Sequence, residues 1–440
     1  MITAFLAKNH SGKLARILLT LITAGSGLAE SVAQQAPDPF ITGDRLYADV
    51  KKYVALGEHR TATEADYATS AWLNDRFKQK GFKTNYVPFP VKQFFPQKSS
   101  VILGPISINA FPLWFVHETG PLTVNAQFVD PRRGDSVNGK IALVRFPAPG
   151  GQLSPAHAAP LEKMIEQGVK GIVIISEGTT GEIVAFNTFG GQKPWKVPVV
   201  LVAPKDSTSL LDAIHKTVSL SIQGSFKAQE ARNLTAQIGN GSRYIIISTP
   251  ISGWFRCGGE RGPGVAIFNA LADWVGENYR QYPAYTFLFT ANSGHELDFL
   301  GSHIFLHGNA PKPAQVALWL HLGAGIATYD WKATGASFQK IERAPDQRNI
   351  MFSPSLEQAV QKGFAGLPGK RVKVKDGAMG EMGEVAGAGY RNFYGVAYAH
   401  RFHHVRSDDE TNTSPKLLEE AALAIRRTLE IALSANYSLN

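Results

Sequence analysis

The chain of 440 residues is 44% hydrophobic and 18% charged, with a net charge of +9. Its length allows two or three domains with large cores, and its composition is that of a soluble globular protein. No basic stripe with interleaved aromatics supports nucleic-acid binding. A single cysteine, Cys257, excludes an intramolecular disulfide.

Lys8, Lys13 and Arg16 flank an apolar run at 17–24, and Ser31-Val32-Ala33 fits a small-x-small cleavage site. This is the pattern of a secretory signal over residues 1–33, so an exported protein, periplasmic or secreted, is expected. The apolar run is too short to span a bilayer, and no later stretch is long and apolar enough. Residues 34–45 are a Gln-, Ala- and Pro-rich leader. Leu46, Val50, Val54, Ala68, Trp72, Leu73 and Phe77 recur at helical spacing. They predict a helix over 45–80, stopped by Gly81. Residues 82–91 alternate as a strand.

Residues 112–228 read as a small α/β unit. Asn138-Gly139-Lys140 turns into a strand at 141–146, and a helix at 161–167 stops at Gly168. Strands at 171–176 and 197–202, a helix at 207–214 and a strand at 218–223 complete it. From Asn233 the units are larger: strand 244–248, helix 265–275, strands 285–290, 315–320 and 395–399, and a closing helix at 415–433. Alternating buried strands and helices predict an α/β fold, with a mainly parallel mixed sheet and helices on both faces.

In such sheets the ligand site lies beyond the carboxyl ends of the strands. Polar residues gather there from four segments. The first strand is followed by Ser252, Trp254, Cys257 and the Gly-rich run through Glu260, Arg261 and Gly264. The second is followed by His295 and Glu296, and the third by His321. The fourth is followed by His400, His403, His404, Asp408, Asp409 and Glu410. A set of carboxylates and imidazoles suits both a zinc-like ion and acid–base catalysis. The Gly-rich run opens a helix, so its amides can receive an anion or simply make a tight turn. Arg261 beside Glu260 offers a salt bridge at the helix start as an alternative to metal binding. Cys257 reads either as a nucleophile or as a small buried hydrophobe.

At these segments the chain resembles the co-catalytic zinc aminopeptidases, a family that includes bacterial leucyl aminopeptidases, glutamate carboxypeptidase II and, more distantly, glutaminyl cyclases. Glu58-His59-Arg60-Thr61-Ala62-Thr63 resembles the family's opening turn, and Asn233-Leu234-Thr235-Ala236 its re-entry strand. Asn138 to Phe146, Met164 to Ile175 and Val197 to Val202 resemble a protease-associated domain. The resemblance therefore implies a peptidase-like domain in two parts, 34–111 and 229–440, with a protease-associated domain inserted at 112–228.

The family's metal motifs carry over only in part. Pro250 and Ser252 stand at the positions of its His-x-Asp, so one histidine ligand is lost. Glu260 stands for the bridging aspartate, and His295 for the glutamate base. Glu296 keeps a glutamate ligand, His321 replaces a ligand aspartate, and His404, or His403 beside it, matches the final histidine. The resemblance then implies one zinc, or none, held by Glu260, Glu296 and His404. His295 would act as base, and His321 would support the metal or the transition state. Glu384, Arg391 and Trp254 fall where the family binds substrate. The leading expectation is an exported aminopeptidase-like metallohydrolase acting on a peptide or small amide. The rivals are a non-catalytic peptide- or glycan-binding protein on the same fold and a one-zinc cyclising acyltransferase.

Overall fold

Leu46, Val50, Tyr53 and Val54 share the buried face of α1 (Gly43–Ala55), and Leu73 and Phe77 that of α2 (Glu64–Gln79). The computed structural model describes residues 38–117, 122–188, 193–335, 337–374, 378–435, 437 and 439. The signal-like segment 1–33 lies outside them. The helix expected over 45–80 is thus two helices. Gly57 takes φ of 116°, and the intervening amides serve other partners: His59 N donates to Phe255 O and Thr61 N to Glu296 Oε1. A continuous helix would have consumed those donors.

After α2 the chain runs through β1 (Lys83–Leu103), β2 (Ile106–Asn109), β3 (Phe111–Pro112), β4 (Leu122–Val129), β5 (Ile141–Pro147), α3 (Pro155–Glu166), β6 (Gly171–Glu177), β7 (Val199–Val202) and α4 (Ser207–Asp212). Ser154 caps α3, accepting from His157 N, and Pro155 opens it. β4, β5, β6 and β7 pair in parallel, and β3 pairs antiparallel with β7. With α4 they contribute Phe128, Ile141, Ile172, Ile174, Val200 and Leu210 to a core that also takes in Phe94, Trp254, Phe255, Leu297 and Val405 from outside residues 112–228. The next strand, β8 (Thr217–Ile238), passes through residue 228 without a break. It pairs along β1 and touches β4 at one end and a later strand at the other.

The larger part continues with β9 (Arg243–Pro250), α5 (Gly262–Asn278), β10 (Tyr285–Asn292), α6 (Leu300–Ile304), β11 (Val316–Leu322), β12 (Asp330–Thr334), β13 (Ser337–Ile341), β14 (Asn349–Phe352), α7 (Glu357–Gly363), β15 (Lys370–Lys373), α8 (Glu381–Gly387), β16 (Phe393–Ala397) and α9 (Pro415–Leu433). The strand order is β15-β14-β16-β11-β9-β10-β8, and β16, β11, β9 and β10 are mutually parallel. One face packs α1, α2, α5, α7 and α9 in a core with Val265, Phe268, Leu418 and Ile425. The other packs Met382 and Val385 of α8 with Trp319 and Phe393. The sheet is α/β, mixed and mostly parallel, as the alternation predicted. β9 and β11 each run two residues beyond the predicted ends, so Pro250 and His321 lie inside strands.

His59, in the loop between α1 and α2, is buried. Its ring stacks on Tyr53 at 3.7 Å between centroids, with Nε2 2.9 Å from Tyr53 O and Nδ1 3.2 Å from Thr69 Oγ1. Burial lowers its pKa to about 3. The unfolded chain takes up this proton near pH 6.5, so His59's contribution to stability is intact above that pH and is lost as pH falls toward 3. Urea unfolding between pH 7.5 and 4.5 checks this. Wild type is expected to lose stability more steeply than His59→Gln, by up to about 1.4 kcal/mol per pH unit below pH 6. Equal slopes would show that His59 is not the group responsible.

Candidate active site

The turn between β9 and α5 carries Glu260 and Arg261, both fully buried. Asp408 holds this turn by accepting from Gly259 N at 2.8 Å and Glu260 N at 3.0 Å. The amides that the Gly-rich run offers an anion are therefore filled by a carboxylate of the same chain. Cys257, at φ of 52°, starts the turn. Burial, then Glu260 and Asp408, push its thiol pKa well up. That removes the thiolate a nucleophile needs. Cys257 packs as a small hydrophobe.

His404 follows β16 and is held from the opposite side by residues of the 112–228 segment. Its Nδ1 donates to Ala185 O at 3.0 Å, and Ala185 N donates back to His404 O at 3.0 Å. The other ring nitrogen, Nε2, lies 3.2 Å from Glu260 Oε1. His403 stacks on His404 with centroids 4.0 Å apart and planes 19° apart, its Nε2 3.9 Å from Glu260 Oε1. Arg261 Nη2 approaches the same Oε1 at 2.8 Å, and Arg261 Nε donates to Ser252 O at 3.0 Å. Burial alone raises the Glu260 carboxyl pKa, but Arg261, His403 and His404 outweigh it and hold it well below the usual range. Glu260 is a carboxylate.

Glu296 is placed differently from the expected ligand. Its Oε1 accepts from Thr61 N at 2.5 Å and Thr61 Oγ1 at 2.7 Å, and its Oε2 from Ser252 Oγ at 2.8 Å. Both oxygens are satisfied by protein donors. His295 turns its Nδ1 to Glu381 Oε1 at 2.9 Å, and His321 Nε2 lies 3.9 Å from Glu381 Oε2. His321 Nδ1 is 2.9 Å from Ser248 Oγ. Burial and then Arg261 lower the His295 pKa well below normal. Burial brings His321 to about 4, with Glu381 opposing. Both rings are neutral at pH 7, and so weak a base abstracts protons poorly.

Glu381 was not singled out in the sequence, which pointed instead to Glu384 one turn later. Glu384 pairs with His303 at 2.8 Å, each side chain 37% exposed. Arg391 is exposed, and Trp254 is core, donating to Asn187 Oδ1 at 2.9 Å and packing edge-on against Trp114. Thr61, Asp66 and Ser293 form a further buried network beside Glu296, with Ser293 Oγ donating to Asp66 Oδ2 at 2.7 Å. Of these only Thr61 falls in the polar opening turn; Asp66 lies in α2 and Ser293 follows β10.

No protein-family model matches this sequence, and no curated protein matches it. Solved structures do match. The zinc aminopeptidase BSAP from Bacillus subtilis superposes with TM-score 0.70 at 13% identity, over 89% of this chain and 95% of that one. A peptidase M28 precursor from Shewanella amazonensis SB2B gives TM-score 0.67 at 16% identity, over 89% and 95%. An aminopeptidase from Aneurinibacillus sp. strain AM-1 gives 0.60 at 15% identity, over 89% and 93%. The chain has the zinc aminopeptidase fold.

Among the described residues, Glu260, His403 and His404 form the one group of three whose donor atoms lie within 4.8 Å of one another. A carboxylate with two imidazoles is zinc-like donor chemistry. Three features of the zinc-aminopeptidase-like centre nevertheless do not fit an ion as arranged. In-plane lone pairs of two stacked rings run side by side and do not converge on one metal. Glu296, which would complete the set, faces Thr61 and Ser252. Arg261 already occupies Glu260 Oε1: an ion bonded there at about 2 Å would stand within roughly 5 Å of the guanidinium. At an effective dielectric of about 20 a divalent ion would meet some 7 kcal/mol of repulsion there. That removes about half of the roughly 10–16 kcal/mol a good structural zinc site supplies.

The backing of His404 leaves no spare room. A Cβ at Gly151, where φ is 54°, would lie 2.2 Å from His404 Nδ1 and 2.6 Å from Ala185 O. Gly151→Ala is expected to destabilise the protein by about 2 kcal/mol or more through overpacking. Gly181→Ala, at φ of 75° with nothing nearby, carries backbone strain alone and serves as control. Equal losses in urea unfolding would mean that the His404 contact contributes nothing.

Proposed function

We propose that this protein is a non-hydrolytic, peptide-binding form of the zinc aminopeptidase fold. The observation that carries the reading is the Glu260–Arg261 ion pair at the centre of the site, where its carboxylate is committed to a guanidinium. A cleft of about 540 Å³ beside the centre supplies the binding surface. Trp114, Phe115, Leu153 and Trp195 give it apolar walls, and Glu162, Glu166, Lys193 and Lys196 a rim of mixed charge. Thr188, which also lines it, donates its N–H to Glu296 O at 3.0 Å, so the cleft abuts the polar cluster. Apolar walls with a few polar groups are the usual make-up of a small-ligand pocket. In this reading residues 112–228 are a protease-associated module that holds the ligand, and the signal-like segment 1–33 directs the protein out of the cytoplasm.

A second reading has its own support. Glu260 Oε1, ion-paired with Arg261 but in no hydrogen bond, and His404 Nε2 stand 3.2 Å apart. That spacing suits two ligands on a tetrahedral ion with bonds of about 2 Å. The protein would then be a one-zinc aminopeptidase-type hydrolase of peptides or related amides. Glu260 and His404 would hold the ion, joined by His403 after ring rotation. A zinc ion held there would supply carbonyl polarisation and a water of lowered pKa. This chain's own residues would supply orientation through Ser252 and the His295–Glu381 pair.

Purified protein incubated with an aminoacyl and dipeptide library distinguishes the two. The expected outcome is binding, seen as quenching of tryptophan fluorescence and weakened at least tenfold by Trp195→Ala, with no cleavage and no stoichiometric zinc. Cleavage that disappears in Glu260→Ala would establish the hydrolase instead.

A further inference from the structure

Arg261 does more than neutralise Glu260. Its side chain is 1% exposed, yet it reaches groups from several separate segments. Nη2 lies 2.8 Å from Glu260 Oε1, the oxygen that also faces His404 Nε2 at 3.2 Å and His403 Nε2 at 3.9 Å. Nε donates to the backbone oxygen of Ser252 at 3.0 Å. The Ser252 hydroxyl in turn donates to Glu296 Oε2 at 2.8 Å and accepts from His295 N at 3.0 Å. One cation therefore ties together the end of β9, the turn before α5, the 293–296 loop and the 400–404 loop. Gathering carboxylates, carbonyls and imidazoles around a fixed positive charge is the structural task of a bound metal ion.

We propose that the Arg261 guanidinium is the built-in cation of this site and masks a latent metal site on Glu260 and His404. The proposal rests on the non-hydrolytic reading for the metal-free state of the wild type. The donors of a metal site persist: Glu260 Oε2 and His404 Nε2 are buried without hydrogen-bond partners, and Glu260 Oε1 is held by the Arg261 ion pair without a hydrogen bond. His404 Nδ1 is tied to Ala185 O, which orients the ring and leaves Nε2 as the nitrogen turned to Glu260. What keeps an ion out is the charge already seated on Glu260. A smaller neutral side chain at 261 removes that charge and opens the space it fills. Lysine would keep the charge without the contact to Ser252, and so would still exclude an ion.

Cobalt(II) titration of the full-length, metal-depleted protein tests this through the visible absorption of bound Co²⁺, a readout independent of activity. Wild type and Arg261→Lys are expected to show no bound-cobalt spectrum. Arg261→Ala is expected to take up one equivalent, and Arg261→Ala/His404→Ala to lose it. Stoichiometric uptake by wild type, or none by Arg261→Ala, overturns the proposal. Thermal unfolding covers the case in which Arg261→Ala folds poorly. Glu260→Gln and Arg261→Met should each lower Tm, and the double variant should recover most of the loss, because an unpaired buried charge costs more than a missing pair. Additive losses would overturn it. Failure of Arg261→Ala to take up cobalt overturns the latent-site proposal alone, whereas cleavage of the library by wild type overturns the non-hydrolytic reading, so the two fail distinguishably.

Discussion

The contact between Glu260 and Arg261 is the constraint around which the centre of this molecule is arranged. Both side chains are out of water, and neither charge is tolerable there alone. Their attraction keeps Glu260 ionised against the effect of burial, and the carboxylate then faces the ring nitrogens of His403 and His404. The guanidinium passes its influence through Ser252 to Glu296 and His295. Asp408 fixes the backbone beneath the pair. A zinc aminopeptidase frame is thus retained while the charge at its centre has become part of the chain.

The 112–228 segment takes part in this centre. Ala185 brackets His404 with two hydrogen bonds, and Gly151 leaves the gap into which the ring fits. Thr188 and Asn187 reach Glu296 and Trp254. Strand β8 runs unbroken from the smaller core into the main sheet. The segment shares its apolar core with Phe94, Trp254, Phe255, Leu297 and Val405, and the geometry of His404 depends on it. A change in the segment is therefore felt at the site.

Much of the fold was legible because buried strands and amphipathic helices write their periods into the sequence. The closing helix at 415–433 shows this best: Ser414 and Pro415 mark its start, and its apolar face extends to Leu433. The break between α1 and α2 was not legible, because the amides of residues 59–61 are drawn away by partners 196 and more residues distant in sequence. At the site, the gathering of Glu260, His295, His321 and His404 at one sheet edge followed from strand order. The direction in which each side chain points did not. Glu296 sits at a ligand position yet faces Thr61 and Ser252. Glu381, marked by no motif, partners two histidines. In the sequence Arg261 offers a local helix-start salt bridge as an alternative to metal binding at Glu260. That pairing is present, but burial makes it the dominant charge of the site.

The account stands on what occupies the space beside Glu260 Oε1. Crystals of natively purified protein, grown with zinc in solution and measured at the zinc absorption edge, report on that space directly. The expected map shows continuous density for the Arg261 guanidinium against Glu260 and no anomalous peak between Glu260 and His404. A peak about 2 Å from both, with the guanidinium swung away, would contradict the account and identify a metal centre.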